Sequence, residues 1–114
     1  MSSNYALYIK EREDKDILEN DKGFVAYLVL DKSKTVYISD MFIRKEHRNT
    51  EVFTNFHKDL MAVAKENSCT KLMANVDVNT NNWEHSKMRL EEDGFKVCGK
   101  DNSLIFLIKE INHG

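Results

Sequence analysis

No proline occurs in these 114 residues, and no apolar stretch runs further than Phe24 to Leu30 (FVAYLVL). That stretch falls far short of the roughly 20 apolar residues a bilayer-spanning helix needs, so a helical membrane protein is excluded. The N-terminal MSSNYALYIKERED lacks the basic-then-apolar pattern of a signal peptide, which makes a cytoplasmic protein the expectation. Cysteine is scarce. Cys69 and Cys98 stand far apart with no Cys-x-x-Cys pairing, and two reduced structural thiols are expected rather than a disulfide or a metal site. His47, His57, His85 and His113 show no His-x-x-x-His spacing and none pairs with a cysteine, so no metal is expected. Neither a Gly-x-Ser-x-Gly motif nor a P-loop is present, which removes hydrolase and nucleotide-triphosphatase readings. The missing proline is compositional and bears on no mechanism.

Charge of either sign is not in excess. The net charge is −2, and Lys and Arg alternate with Asp and Glu along most of the chain, as on a solvated mixed surface. One local cluster, Arg44, Lys45, His47 and Arg48, is basic, but Glu46 and Glu51 dilute it. Without a dominant basic face, nucleic acid is not an expected partner.

What remains is an ordinary soluble composition, 41% apolar and 32% charged, of a size that holds one core and one domain, residues 1–114. No repeat, low-complexity tract or linker interrupts it. Tyr5 to Lys10 sets Tyr5, Leu7 and Ile9 on one face and predicts a strand. Glu11 to Lys22 is almost wholly polar, with Ile17 and Leu18 as its anchors, and predicts a loop or one short helical turn. Phe24 to Leu30 is apolar on both faces, as in a strand inside a sheet. The polar turn Asp31 to Lys34 joins it to Val36–Ile43 in a hairpin.

The period then changes. Phe53, Phe56, Leu60, Val63 and Ala64 recur at helical spacing and predict a helix over Thr50–Asn67, with Asn49 or Thr50 as its cap. Leu72, Ala74, Val76 and Val78 alternate as a strand. A second helix is predicted over Asn82–Asp93, with Gly94 as a left-handed stop. Phe95–Cys98 and Leu104–Ile108 close the chain as two strands joined by Gly99 to Asn102. A strand–helix–strand unit after an antiparallel hairpin implies an α/β (α+β) domain. Its mixed central sheet has about six strands, and its helices lie on the sheet faces.

The run Tyr37 to Arg48, YISDMFIRKEHR, resembles the fourth strand and cofactor loop of the GNAT (Gcn5-related) N-acetyltransferases. The resemblance spans about Lys22 to Ile108. It includes Gly94-Phe95, similar to the Gly-Phe that ends the family's fourth helix. It implies the GNAT fold, truncated on its N-terminal side. It also implies that Val36–Ile43 and Leu72–Val78 lie parallel and splay apart near Met41 to Ile43. Acetyl-CoA would then be held by Met41, Ile43, Arg48, Asn49 and Thr50. Asp40, between Ser39 and Met41, falls where some members carry a general base; a structural aspartate is the competing reading.

The family's loop glycines let backbone N–H groups close around the pyrophosphate at a helix N-terminus. Here Asn49, Glu51 and Phe53 replace the small residues. A carboxylate about 5 Å from one phosphate charge costs roughly 3 kcal/mol at an effective dielectric near 20. Phe53 also falls on the apolar stripe of its helix and is expected to face the core. The tyrosine that protonates the departing thiolate in many members is replaced by Leu90, which with Trp83 is expected in the core.

The resemblance therefore implies a degenerate member without catalytic residues and without a cofactor. Such a protein would act as a protein-binding or structural assembly module, of a kind found in bacteria and in bacteriophages, including phage particles. Its location is then the host cytoplasm or the phage particle. The alternative is a divergent acetyl-CoA-dependent N-acetyltransferase acting on an amine. A protein partner or a homo-oligomer is expected, using an N-terminal strand or a sheet face that carries some of Tyr5, Tyr8, Tyr27 and Tyr37.

Overall fold

The computed structural model describes residues 15–47 and 51–111. The predicted strand Tyr5–Lys10 lies outside them, as do Arg48, Asn49 and Thr50. Six strands form one sheet: β1 (Asp16–Asn20), β2 (Gly23–Leu30), β3 (Thr35–Ile43), β4 (Lys71–Asp77), β5 (Lys96–Asp101) and β6 (Leu104–Glu110), in the order β1-β2-β3-β4-β6-β5. Helix α1 (Val52–Glu66) connects β3 to β4, and α2 (Trp83–Glu92) connects β4 to β5. All pairs are antiparallel except β3 with β4, which the α1 crossover makes parallel.

Both helices pack on one face. Val36 and Ile38 of β3 align with Leu72 and Ala74 of β4, and Ala74 aligns with Leu107 of β6. These side chains meet Val52, Phe56, Leu60 and Ala64, which recur along α1 on one stripe, and Leu90 of α2. Phe56, Leu60, Leu72 and Leu107 are fully buried. The opposite face carries Phe24, Leu28, Leu30, Tyr37, Phe42, Met73 and Phe106, by the alternation of the strand pleat.

Two stretches differ from the expectation. Asp16–Asn20, expected as a loop or one short helical turn, is a strand that pairs with β2 through Ile17 opposite Ala26 and Leu18 opposite Val25. As the outermost described strand it needs only Leu18 against the core, so its polar sequence hides the alternation. The last hairpin is tighter than predicted, because β5 continues through Asp101 and the turn falls at Asn102-Ser103, with Asn102 at φ 54°. A bulge between Val97 and Gly99 adds Cys98 as an extra residue to β5.

Gly94 terminates α2 as its position requires. It sits at φ 97°, its N–H reaches the Glu91 carbonyl at 3.0 Å, and the Phe95 N–H reaches that of Leu90 at 3.0 Å. This is the Schellman pattern, sealed by the buried pair Leu90 and Phe95. Helix α1 begins two residues later than predicted, at Val52. Glu51 stands at its N-cap and makes no side-chain capping bond. No helix among the described residues is long and apolar enough to cross a membrane.

Candidate functional site

Four rungs join β3 to β4, from Thr35 opposite Lys71 to Ile38 opposite Ala74. Beyond them β3 continues to Ile43 beside β2, and β4 continues to Asp77 beside β6, without pairing to each other. The strands therefore splay. Between them opens a cleft of about 1130 Å³, roofed by α1 and α2 and lined by both strand ends.

A bulge sharpens the departure of β3. Asp40 stands opposite Ala26 and Ile38 opposite Tyr27, so Ser39 is the extra residue; its hydroxyl donates to the Ala26 carbonyl at 3.3 Å. Past the bulge, the Arg44 N–H donates to the Lys22 carbonyl at 2.8 Å. The antiparallel alternation then gives Phe42 and Asp40 the bonds to β2 and turns the main-chain groups of Met41 and Ile43 toward the cleft. The Met41 N–H is accepted by Oδ1 of Asp40 at 2.9 Å. On β4, the Val78 N–H donates to Ser103 at 2.9 Å, and the same alternation turns Asn75 and Asp77 toward the gap.

The first turn of α1 borders this cleft. Phe53 is half-buried there, against the core as expected, and its ring also carries the Arg89 guanidinium of α2 at 4.9 Å from the centroid. Arg89 further donates to the Thr54 hydroxyl at 3.3 Å and pairs with Glu92 at 3.7 Å. A guanidinium from the next helix thus covers the turn that Glu51 precedes. Leu90 is 7% exposed and belongs to the core, while Trp83 is half-buried against it.

Deeper under the helices, Lys109 Nζ lies 3.2 Å from His57 Nε2, and the Phe95 ring meets the imidazole edge-on. Burial, and then the Lys109 cation, lower the His57 pKa; the Asp93 carboxylate opposes them. Oδ2 of Asp93 is buried with no hydrogen-bond partner among the described residues. Sequence alone gave no sign of this group or of the Arg89–Phe53 stack, because each joins residues from different elements with no periodic spacing.

Of the residues named from sequence, Asp40, Met41 and Ile43 line the cleft. Arg48, Asn49 and Thr50 lie outside the described residues. Among the described residues, no group of three or more His, Cys, Asp or Glu side chains could hold a metal ion.

Residues 7–96 match the model of the acetyltransferase (GNAT) family. The chain belongs to the GNAT family. By sequence no curated protein matches it. Among solved structures, nourseothricin acetyltransferase superposes at a TM-score of 0.73 with 18% identity, over 86% of this chain and 66% of that one. The PaiA N-acetyltransferase of Thermoplasma acidophilum, in complex with coenzyme A, gives 0.72 with 14% identity over 90% and 66%. The chain thus spans just under two thirds of both. A Bacillus subtilis acetyltransferase in complex with CoA gives 0.71 with 13% identity, over 98% of this chain and 95% of that one. At these identities the likeness establishes the GNAT fold, whose parallel, splayed strand pair is the β3–β4 cleft.

Proposed function

We propose that this GNAT protein works by binding a protein partner and does not transfer acetyl groups. The observation that carries this reading is the first turn of α1. In the family this turn is open to a pyrophosphate; here it holds the Phe53 ring with Arg89 stacked on it, behind the exposed acid Glu51. Two further features support it. Leu90, buried in the core, replaces the proton-donating tyrosine. The carboxylate of Asp40 holds the Met41 N–H that faces the cleft.

The contact surface fitting this reading is the face of the sheet that no helix among the described residues covers. Leu30 and Phe42 are 40% and 45% exposed there, and the Phe24 and Phe42 rings stand 6.1 Å apart. A homo-oligomer or a subunit of a larger assembly, in a host cytoplasm or a phage particle, would use it. Sedimentation and crosslinking of material from the natural source test this part. A strict monomer without a copurifying partner, showing acetyl transfer to an amine, overturns it.

The second reading is a divergent acetyl-CoA-dependent N-acetyltransferase acting on an amine. It is favoured by the cleft volume and by the CoA complexes among the structural neighbours. Asp40 would then be the base, and Met41, Ile43, Arg48, Asn49 and Thr50 would hold acetyl-CoA. Calorimetric titration with acetyl-CoA and CoA separates the two readings.

A further inference from the structure

We infer that the cleft is a docking groove for an extended segment of a partner protein, which enters as an added strand between β3 and β4 and alternates aliphatic with basic side chains. This rests on the reading that acetyl-CoA is not the occupant.

The first ground is main-chain geometry. Past Ile38 and Ala74 the two strands expose inner edges with no strand between them among the described residues, while β2 and β6 occupy their outer edges. Met41 on one side and Asn75 on the other turn backbone groups into the gap, while the Asp77 carbonyl closes its far end by accepting from the Thr80 N–H and hydroxyl. Such edges bind an extended chain through its amides.

The second ground is what the two faces of the cleft carry. Ile38, Ala74 and Val76 line it on the helix side, with Leu60 and Phe95 above them. Asp40 and Asp77 flank it on the side opposite α1 and α2, one on each strand. A strand laid between them sends alternate side chains to opposite faces. Its inward residues would meet apolar side chains, and its outward residues two carboxylates. Among the described residues the guanidinium lining the cleft, Arg89, is engaged by Phe53 and Glu92. The two carboxylates at the mouth suit a basic strand.

Asp40 gives the exchange its chemistry. Its carboxylate now accepts the Met41 N–H. A carbonyl of the entering strand would take that donor, releasing Asp40 to pair with a Lys or Arg of the same strand.

The test is selection of random octapeptides displayed on phage against the full chain, followed by synthesis of enriched sequences and fluorescence anisotropy. The expected consensus alternates aliphatic residues with Lys or Arg. Its amide chemical-shift changes should fall on Ser39–Phe42 and 75–77. Methylating alternate backbone nitrogens of the peptide should abolish binding. The double variant Asp40→Asn, Asp77→Asn, checked for unchanged thermal stability, should weaken it roughly three- to thirtyfold, the loss of two solvent-screened ion pairs. No enrichment, an acidic or patternless consensus, shifts elsewhere, or indifference to the double variant overturns the inference. CoA titration runs alongside. Tight CoA binding sinks the underlying non-cofactor reading, whereas absence of both ligands sinks the peptide inference alone.

Discussion

The side-chain amide of Asn75 donates to the Tyr37 hydroxyl, tying β4 to β3 on the sheet face opposite α1 and α2. Tyr37 aligns with Met73, two residues before Asn75, so the bond runs diagonally across the last rungs before the strands part. It pins the apex of the cleft from the side that the helices leave open. Tyr37, read from sequence as a candidate contact residue, is in this respect a structural one.

Replacing Tyr37 by Phe removes that bond and leaves the half-buried Asn75 amide short of a partner. A loss of about 1 kcal/mol is expected. Urea unfolding should show a lower midpoint with an unchanged slope, since the surface exposed on unfolding stays the same.

Cofactor affinity should be poor for a stated reason. Acetyl-CoA or CoA is expected to bind more weakly than the low micromolar range in calorimetry. Glu51→Gly with Phe53→Gly should recover part of the binding, because it removes a carboxylate worth about 3 kcal/mol of repulsion and uncovers the turn. Tight binding by the unaltered chain would refute the contact reading.

His57 supplies a pH dependence. Its folded-state pKa lies below the ordinary 6.5, so the unfolded chain binds more protons in the interval between the two values. The contribution to stability is full above about 6.5 and is lost as pH falls through the folded value. NMR titration should give a His57 midpoint below that of an exposed histidine. Lys109→Met should raise it, by removing a cation, and Asp93→Asn should lower it further.

Gly23 is packed where no side chain fits. A Cβ there would strike the Phe42 carbonyl oxygen and approach the Ile43 Cα at 2.9 Å, both backbone atoms of the paired strand. Gly23→Ala should therefore push β2 from β3 at the cleft end and cost about 1–3 kcal/mol. Thermal melting reads the loss, and an unshifted transition would contradict the packing.

The parts that sequence made legible are those with a repeating period. The stripe through Phe56, Leu60 and Ala64 placed α1 within two residues of its start, and the alternation from Leu72 to Val76 placed β4. Gly94 marked its helix end because its backbone conformation excludes most side chains. Strand β1 escaped notice, since the outermost described strand holds its register with few buried side chains. Within the site, the local run Ser39–Ile43 was readable. The Arg89–Phe53 stack, the Lys109–His57 pair and the Tyr37–Asn75 bond were not. Each spans 35 or more positions and depends on where whole elements come to rest.

The two thiols should differ in reactivity. Cys98 is exposed on β5, whereas Cys69 is buried, and its thiol pKa is pushed up by burial and then by Asp31. A thiol reagent at neutral pH should label one site rapidly and the second only on unfolding. Rapid labelling at both would mean that the end of α1 opens readily.

The short β3–β4 ladder also bears on the order in which the molecule assembles. Strands β1, β2 and β3 pair with their chain neighbours, as do β5 and β6, so these meanders form from local contacts. Val36 and Leu72, by contrast, meet across 36 positions, with α1 between them. Closing so long a loop costs entropy before any parallel rung repays it. Strand β4, whose partners in β3 and β6 lie 27–39 positions away, is therefore expected to join last and with it the cleft. Substitutions at Leu72 should mainly speed unfolding, while those within the β2–β3 hairpin should mainly slow refolding.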